Sequence, residues 1–183
     1  MFDPELVNEC RNGNLSNFRR LIEISAPFAY AVSFRMLGDE EEAKDVVQDS
    51  MVKVWQKIEK IRSADSYKTW LYKIVINKCY DRLRKRKINN EIRADEKVWT
   101  KIQNQITSDQ LAELDYKETA MIINELTNRL SPVQKAVFVL RDIEEMSQEK
   151  ICEITGRSRR NVKASLYFAR KKMNEMIKKY LQQ

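Results

Sequence analysis

Histidine is absent from the 183-residue sequence, and glycine, proline and cysteine each occur only three times. Without histidine, the chain lacks the commonest general base and metal ligand of proteins. The three cysteines (Cys10, Cys79 and Cys152) are widely separated and lack metal-ligand spacing, so we expect buried thiols rather than a disulfide or a zinc site. The scarcity of glycine and proline leaves few turn-forming residues, which favours an all-α chain with few breaks.

Catalytic patterns are also missing. The sequence contains no glycine-rich phosphate loop, no cluster of metal ligands and no nucleophile beside a base. It therefore predicts a protein that is not an enzyme and needs neither a cofactor nor a metal. No run reaches the roughly 18 apolar residues of a membrane helix, and Met1–Glu5 has neither the basic start nor the apolar segment of a signal peptide. We expect a cytoplasmic protein without direct membrane insertion.

The charge is unevenly distributed along the chain. Residues 1–90 carry 17 Lys and Arg against 13 Asp and Glu, a net charge of +4. Residues 91–118 carry 4 against 7, or −3, and residues 119–183 carry 13 against 7, or +6. We interpret this pattern as two small helical domains, 1–90 and 119–183, joined by a flexible linker, 91–118. Basic blocks favour a nucleic-acid partner, although a basic helix face is also an ordinary solvated surface.

A helix, a tight turn and a second helix are predicted between Met146 and Lys163. Ser147 and Ser158 are suited to cap these helices, and Gly156 can adopt the left-handed conformation that ends the first. The second helix has a predicted buried face of Val162, Leu166 and Ala169, and cations at its start, Arg159, Arg160 and Lys163. The helix dipole disfavours cations at this position, and a departure from local stability often marks a functional site. DNA phosphates would relieve the excess positive charge, so the pattern is typical of a DNA-binding helix-turn-helix. Two helices around a glycine also occur in proteins that never bind DNA.

The first 90 residues predict a bundle. A second helix is expected from a cap at Ser16 to Gly38, kinked or broken at Pro27, and a third helix begins after a cap at Asp39. The predicted inward face of the third helix is Ala43, Val46, Val47, Met51, Val54, Trp55 and Ile58. Ser66 is expected to cap a fourth helix over 67–87.

Aromatic residues follow the polar loop 62–66, since Tyr67, Trp70 and Tyr72 open the fourth helix beside several cations. Such a mixture suits the stacking of unpaired bases. A single tryptophan such as Trp70 is more often part of a hydrophobic core than a stacking surface.

Two blocks of sequence resemble a bacterial sigma factor of the extracytoplasmic-function (ECF) type, within the sigma-70 family. The first runs from Asp45-Val46-Val47-Gln48-Asp49 through Ser66-Tyr67-Lys68-Thr69-Trp70 to Asn77 and Asp81, and resembles region 2. The second runs from Leu130-Ser131-Pro132 to Val162-Lys163, and resembles region 4. The resemblance implies a protein that binds core RNA polymerase and directs promoter-specific initiation by recognising the −10 and −35 elements.

The resemblance also implies roles for particular residues. Asp45, Gln48 and Asp49 match the surface that docks on the clamp helices of the polymerase β′ subunit, a basic partner that suits an acidic and polar stripe. The −10 element, where a base is flipped from the opened duplex, would be bound by Arg62, Ser63, Ala64, Asp65, Ser66, Tyr67, Lys68, Trp70, Lys73, Asn77 and Asp81. The −35 element would be bound by Arg159, Arg160, Lys163, Ala164 and Tyr167.

A further partner is implied in the same way: an anti-sigma factor, often membrane-anchored, that covers the polymerase-binding faces of both domains. The acidic linker could mimic nucleic acid inside the polymerase, or it could be an ordinary solvated segment. The alternative to a sigma factor is a one-component helix-turn-helix regulator with a helical ligand-binding domain, which would bind duplex DNA without polymerase. A pure interaction protein is a further alternative.

Overall fold

A computed structural model describes residues 2–61, 63–89 and 125–181. The α-helices bounded within these ranges are α1 (Pro4–Arg11), α2 (Leu15–Leu37), α3 (Glu40–Lys57), α4 (Tyr67–Asn89), α5 (Pro132–Phe138), α6 (Gln148–Thr155) and α7 (Arg159–Leu181). Two single 3₁₀ turns, Ile58–Lys60 and Ala64–Ser66, lie between α3 and α4, and a π-helical turn, Val139–Ile143, follows α5. These ranges contain no β-strand, which confirms the predicted all-α class. The predicted linker and Arg62 lie outside the described residues.

The N-terminal half is a bundle of α2, α3 and α4, with α1 packed against α2. Its core is formed by apolar residues at helical spacing, which are removed from water: Leu21, Val32, Met36, Val46, Val54, Leu71 and Val75. Pro27 does not break α2, contrary to the simplest form of the prediction, because the helix continues to Leu37. Burial of Leu21 before it and of Ala29 and Val32 after it offsets the proline penalty of about 3 kcal/mol.

Local signals at the start of α3 were predicted correctly. Gly38 is left-handed with φ of 69°, and the Glu42 N–H donates to Asp39 Oδ1 over 2.8 Å. Acidic residues fill the first turn of α3, where the helix dipole favours them. Because each of these signals acts over three or four residues, the sequence alone was sufficient to place the boundary.

Three local predictions were wrong. The cap of α2 is Asn14, whose Oδ1 accepts from the Asn17 N–H over 3.3 Å, and not Ser16. The Ser66 hydroxyl donates to the Ser63 carbonyl over 2.7 Å instead of capping α4, because the preceding 3₁₀ turn runs directly into that helix. Trp55 is 50% exposed. Its ring lies edge-on to Phe18 at the margin of the bundle, with 4.5 Å between ring centroids.

The C-terminal half is built on the long helix α7. Helix α5 begins with a capping box between Ser131 and Gln134, with Pro132 in the first turn as predicted. It packs along α7 beside a small cluster of Leu126, Leu130, Ala169 and Met173. Ser147 caps α6 and the left-handed Gly156 ends it, so the predicted helix-turn-helix boundaries are confirmed.

The two halves share one hydrophobic core. Helix α6 packs against α4, and a continuous cluster joins buried α4 residues such as Leu71 and Ile76 to Leu140, Ile151 and Val162 of the C-terminal half. Helix α4 is therefore covered on two sides, by α2 and α3 and by α6. This explains why its apolar residues do not follow a single narrow stripe.

Candidate nucleic-acid interface

The start of α7 presents cations to solvent. The Asn161 N–H donates to Ser158 Oγ over 3.3 Å, which confirms Ser158 as the cap. Val162 and Ala169 are buried, and this fixes the rotation of the helix. The predicted −35 residues then share the exposed side: Arg159, Arg160, Lys163, Ala164 and Tyr167.

Arg159 differs from the other cations of this surface because it also holds the helix-turn-helix together. Its guanidinium lies 2.9 Å from Glu149 of α6, and its carbonyl accepts from Gln148 Nε2 over 3.1 Å. Hydrogen bonds from the Glu149 backbone amide and from Ser147, together with Arg159, lower the pKa of Glu149. Arg160 and Lys163 form no ion pair with any described residue within 4.0 Å. These two cations are therefore available to phosphates or guanine edges.

Exposed aromatic rings extend this surface along α7. Tyr167 is 64% exposed and the neighbouring Phe168 is 51% exposed, with 5.4 Å between their ring centroids. A shallow groove of about 600 Å³ follows the same helix and is lined by Lys163, Tyr167, Arg170 and Lys171, among others. The site predicted from the sequence lacked Phe168, Arg170 and Lys171. Arg170 and Lys171 could have been found from the sequence, because lysines and arginines recur at helical spacing along this face of α7.

The predicted polymerase-binding residues also lie on one exposed face, on α3. Two of them form ion pairs with α4: Asp45 with Arg82 over 3.2 Å, and Asp49 with Lys78 over 3.1 Å. Both carboxylates keep about half of their surface in solvent, at 58% for Asp45 and 49% for Asp49. Gln48 lies between them and is exposed.

A third ion pair extends this series beyond the predicted surface. Arg86 of α4 lies 2.9 Å from Glu42 of α3 and also donates to the Leu37 carbonyl over 2.8 Å. Helices α3 and α4 are thus cross-linked along their length by three ion pairs. Sequence reasoning missed these pairs because their partners are 29 to 44 residues apart.

The predicted −10 residues divide into two groups. Lys73, Asn77 and Asp81 are exposed at successive turns of α4, which forms an accessible polar stripe. Near the start of the helix, Ser63, Asp65 and Lys68 are exposed, whereas Ser66 and Trp70 are half-buried.

Two predicted −10 residues, Ala64 and Tyr67, are buried and lie below this surface. The Tyr67 hydroxyl is 2.8 Å from Ser25 Oγ, and burial raises the pKa of Tyr67 to about 12. Its ring contacts Phe2 and Trp70, with centroid separations of 5.1 and 6.1 Å. In this conformation Tyr67 supports Trp70 from beneath and does not face solvent. The sequence did not distinguish the two roles because all three aromatic residues share one short segment.

Among the described residues, no group of three or more His, Cys, Asp or Glu could hold a metal ion. None of the described helices has the length and apolar character needed to cross a bilayer.

A basic helix-turn-helix on one half, and an aromatic and polar helix start on the other, define a protein of the promoter-binding class. Comparisons with known families agree. Sigma-70 region 2 matches residues 21–88, and Sigma-70 region 4 matches residues 120–173.

The relatives include the RNA polymerase sigma factor SigV of Bacillus subtilis, 31% identical over 150 residues, which cover 82% of this chain and 84% of SigV. The ECF sigma factor SigW of the same species is 26% identical over 97% of this chain and 98% of its own length. The structure of CnrH, solved in complex with the cytosolic domain of CnrY, superposes on this chain with a TM-score of 0.69 and 23% sequence identity. The match covers 97% of this chain and 98% of CnrH, and it supports the fold. The chain belongs to the sigma-70 family, in its ECF group, and is a sigma factor that directs transcription initiation to promoters.

Proposed function

We propose that the solvent side of α3 docks on the clamp helices of the polymerase β′ subunit through Asp45, Gln48 and Asp49. Helix α3 is held in place by ion pairs to α4, so its exposed stripe is rigid before any partner arrives. A preorganised, partly solvated acidic stripe can steer a basic partner without a large ordering cost. Residues 1–90 would constitute region 2, and residues 119–183 would constitute region 4.

The exposed stripe of α4 would bind the −10 element once the duplex opens. Lys73 and Asn77 can contact phosphate or base edges, and Trp70, supported by Tyr67, offers a ring on which an unpaired base can stack. Lys68 lies 5.9 Å from the ring centroids of both Phe28 and Tyr72 and adds a cation to this aromatic cluster. Arg62, Ser63, Asp65 and Ser66 would complete the surface.

The start of α7 would enter the major groove at the −35 element. Arg160 and Lys163 would make direct contacts with bases or phosphates, whereas Arg159 would contact DNA while keeping its ion pair with Glu149. Ala164 and Tyr167 lie about one and two turns beyond Arg160 on the same helix. The observation that carries the whole proposal is the presence of this cationic helix start and the acidic α3 stripe on one chain.

The partners follow from this assignment. The protein would form a holoenzyme with core RNA polymerase on promoter DNA, contribute no chemistry of its own, and act in the cytoplasm, where polymerase meets the chromosome. RpoE of Bartonella quintana, which has the same fold at a TM-score of 0.65 and 22% identity, was solved with the anti-sigma factor NepR. An anti-sigma factor is therefore the proposed negative regulator of this chain, and the proposal includes a membrane-anchored form of it.

Run-off transcription with purified core polymerase on a genomic fragment library tests the proposal. Wild-type protein should yield transcripts that share −35 and −10 patterns. Asp45→Arg should abolish them, because it places a cation against a basic partner. Glu40→Arg is the matched control, since Glu40 is an exposed acid of the same helix about 140° around it from Asp45, at about 100° per residue, and pairs only with Lys44 among the described residues. Specific binding of duplex DNA by the protein alone, with no transcripts, would instead establish the one-component regulator.

A further inference from the structure

Phe168 of α7 is the most exposed of the six phenylalanines, at 51%. Its ring belongs to neither of the two hydrophobic clusters of the described residues, and it lies edge-on to the exposed ring of Tyr167. Burial of an aromatic ring stabilises a protein, and a ring left in solvent forgoes that contribution. Two exposed rings in contact, surrounded by polar residues, have the character of an interaction site.

The rotation of α7 places Phe168 on the same side as the proposed −35 residues. Successive residues of an α-helix are about 100° apart around its axis. Measured from the buried Val162, the residues Arg160, Ala164 and Phe168 lie at about 160°, 200° and 240° and so follow one another across the exposed side. From Arg160 to Phe168 the helix rises about 12 Å. This length corresponds to about three to four base pairs at about 3.4 Å each.

Ala164 and Phe168 form an apolar strip, because residues four apart are neighbours on a helix surface. Cations flank the strip: Arg160 and Lys163 precede Ala164 or lie beside it, and Lys171 follows Phe168. An apolar protein surface is a poor partner for this arrangement, since it would strip water from the cations without compensation. DNA suits it better, because phosphates can bind the cations while the strip faces the base edges of the groove.

The major groove offers one apolar group to such a strip. Thymine carries a C5 methyl group there, whereas the other bases present hydrogen-bond donors and acceptors. The side chains of Ala164 and Phe168 have no donor or acceptor, so they cannot recognise a base edge by hydrogen bonds. Apolar contact with the thymine methyl group is the base recognition that alanine and phenylalanine side chains can make.

We propose that Phe168, with Ala164 beside it, makes the sigma factor selective for thymine in the −35 element by contacting the C5 methyl group. The inference rests on the proposed function, which brings the start of α7 into the major groove but assigns no role to Phe168. Arg160 and Lys163 contribute affinity, and Phe168 contributes discrimination between bases. A methyl group at C5 of cytosine is the same apolar group, so the contact also makes −35 binding sensitive to cytosine methylation at that position.

Deoxyuridine lacks the C5 methyl group of thymidine and otherwise presents the same base edge. Burial of one methyl-sized group corresponds to about a fourfold change in an equilibrium constant. Replacement of the contacted thymine by deoxyuridine should therefore weaken holoenzyme binding to promoter duplex by about fourfold. Phe168→Ala should bind the two duplexes alike, at about the weaker affinity. Phe168→Leu retains an apolar side chain and should keep most of the discrimination.

The test uses a promoter fragment recovered from the run-off transcription experiment. Each thymine of its −35 element, on either strand, is replaced in turn by deoxyuridine, and fluorescence anisotropy gives the dissociation constant of the holoenzyme. Replacements outside the −35 and −10 elements control for effects on the DNA itself. At the contacted position, wild type should also prefer 5-methylcytosine to cytosine, and Phe168→Ala should not.

Ile177→Ala is the matched control for the protein. Ile177 is an apolar residue of the same helix that is 39% exposed, and it lies more than two turns beyond Phe168. Its replacement should leave the preference for thymine over deoxyuridine unchanged. Thermal melting by circular dichroism checks that each variant is folded.

Three results would overturn the proposal. The first is a wild-type holoenzyme that responds to the loss of no methyl group in the −35 element. The second is a Phe168→Ala variant that keeps the wild-type response at every position. The third is a Phe168→Ala variant with less transcription but unchanged affinity for duplex, which would place the ring on a polymerase subunit instead of DNA.

Failure of the sigma assignment has a different signature. Wild type would then support no transcription with core polymerase at any promoter fragment. The same deoxyuridine replacements, made in a duplex that the protein selects by itself from random sequences, would still test whether Phe168 contacts a thymine methyl group.

Discussion

Helices α4 and α7 are both 23 residues long and both carry predicted DNA-binding residues, but they are supported in opposite ways. Helix α4 is covered on two sides, and three of its cations, Lys78, Arg82 and Arg86, are paired with carboxylates of α3. Helix α7 is packed along one side only, and Arg160 and Lys163 at its start face solvent.

The difference fits the two tasks proposed for these helices. Duplex recognition requires a protruding helix whose cations are free to replace counterions on phosphates. Capture of an unpaired base requires a rigid support, because a stacking ring must hold its position while the base is displaced from the duplex. Pairing of the α4 cations with α3 also links the proposed −10 surface to the polymerase-docking surface. Movement of one surface should therefore be transmitted to the other.

The largest effect on this comparison is expected from the double variant Arg160→Ala with Lys163→Ala. Each side chain is worth about 1–3 kcal/mol if it contacts a base edge, so affinity of the holoenzyme for promoter duplex should fall by about a hundredfold. Fluorescence anisotropy with a labelled promoter fragment, at several salt concentrations, measures both the loss and the salt slope. Lys172→Ala with Lys179→Ala removes two exposed cations of the same helix that do not line the groove, and is the control.

A salt slope reduced by about two, with unchanged preference between promoter sequences, would assign both residues to phosphates. Altered preference between sequences would assign at least one to a base. If the control pair lowers affinity as much as the test pair, general basicity of α7 explains the binding, and the helix start has no special role.

A smaller effect, confined to strand opening, is expected for Trp70→Ala. Stacking of one base on an aromatic ring contributes about 1–3 kcal/mol, so the open complex should form about tenfold less well while duplex binding is retained. Permanganate reactivity of unpaired thymines measures the opening. Trp55→Ala is the control, because Trp55 is also partly exposed but packs on Phe18 at another edge of the bundle. Equal loss of duplex binding and opening in Trp70→Ala would contradict the assignment.

Sequence reasoning succeeded where a few neighbouring residues determine the structure. Caps at Asp39, Ser131, Ser147 and Ser158 and the helix end at Gly156 were all predicted correctly, because each depends on bonds within four or five residues. The exposed cations at the start of α7 followed from the same local rules, since the buried Val162 and Ala169 fix the rotation of the helix.

Predictions were less successful where distant segments meet. Trp55 fits the apolar periodicity of α3 but lies at its margin, because Phe18 of α2 provides a packing site there. Tyr67 can lie in the core because its hydroxyl forms a hydrogen bond with the hydroxyl of Ser25, 42 residues earlier in the chain. The Glu144 carboxylate accepts from Tyr72 and Arg35, which lie 72 and 109 positions earlier in the chain, and no local pattern indicates such pairings.

The two halves also differ in how they accommodate a cation. The smallest of the predicted effects, a change of folding stability with pH, tests this difference. The α4 cations Lys78 and Arg82 pair at the surface, whereas Lys135 of α5 is only 2% exposed and donates to Asn128 Oδ1 over 2.7 Å. Burial, together with Arg86, lowers the pKa of Lys135 to about 7, although Cys79 and Glu125 act in the opposite direction. The amine is therefore largely neutral in the folded protein above that pH.

Folding stability should consequently increase with pH above about 7. Below pH 7 the amine is protonated in both states, but between about 7 and its ordinary pKa of 10.5 the unfolded chain binds a proton that the folded chain does not. Stability should rise by at most about 1.4 kcal/mol per pH unit. Above about pH 9 the rise should level off, because burial raises the pKa of the Cys79 thiol to about 12, so the unfolded thiol loses a proton that the folded thiol keeps and this offsets the lysine contribution.

Thermal melting between about pH 7 and about pH 8.5 isolates the lysine contribution within this window. The melting temperature of wild type should rise with pH, whereas Lys135→Met, which keeps the length of the side chain but cannot be protonated, should have a flat profile and a higher melting temperature at pH 7. Lys150→Met removes an exposed lysine of α6 and should retain the wild-type slope. A flat wild-type profile would mean that Lys135 stays charged when buried, and the C-terminal half would then accommodate its cations by pairing, as α4 does.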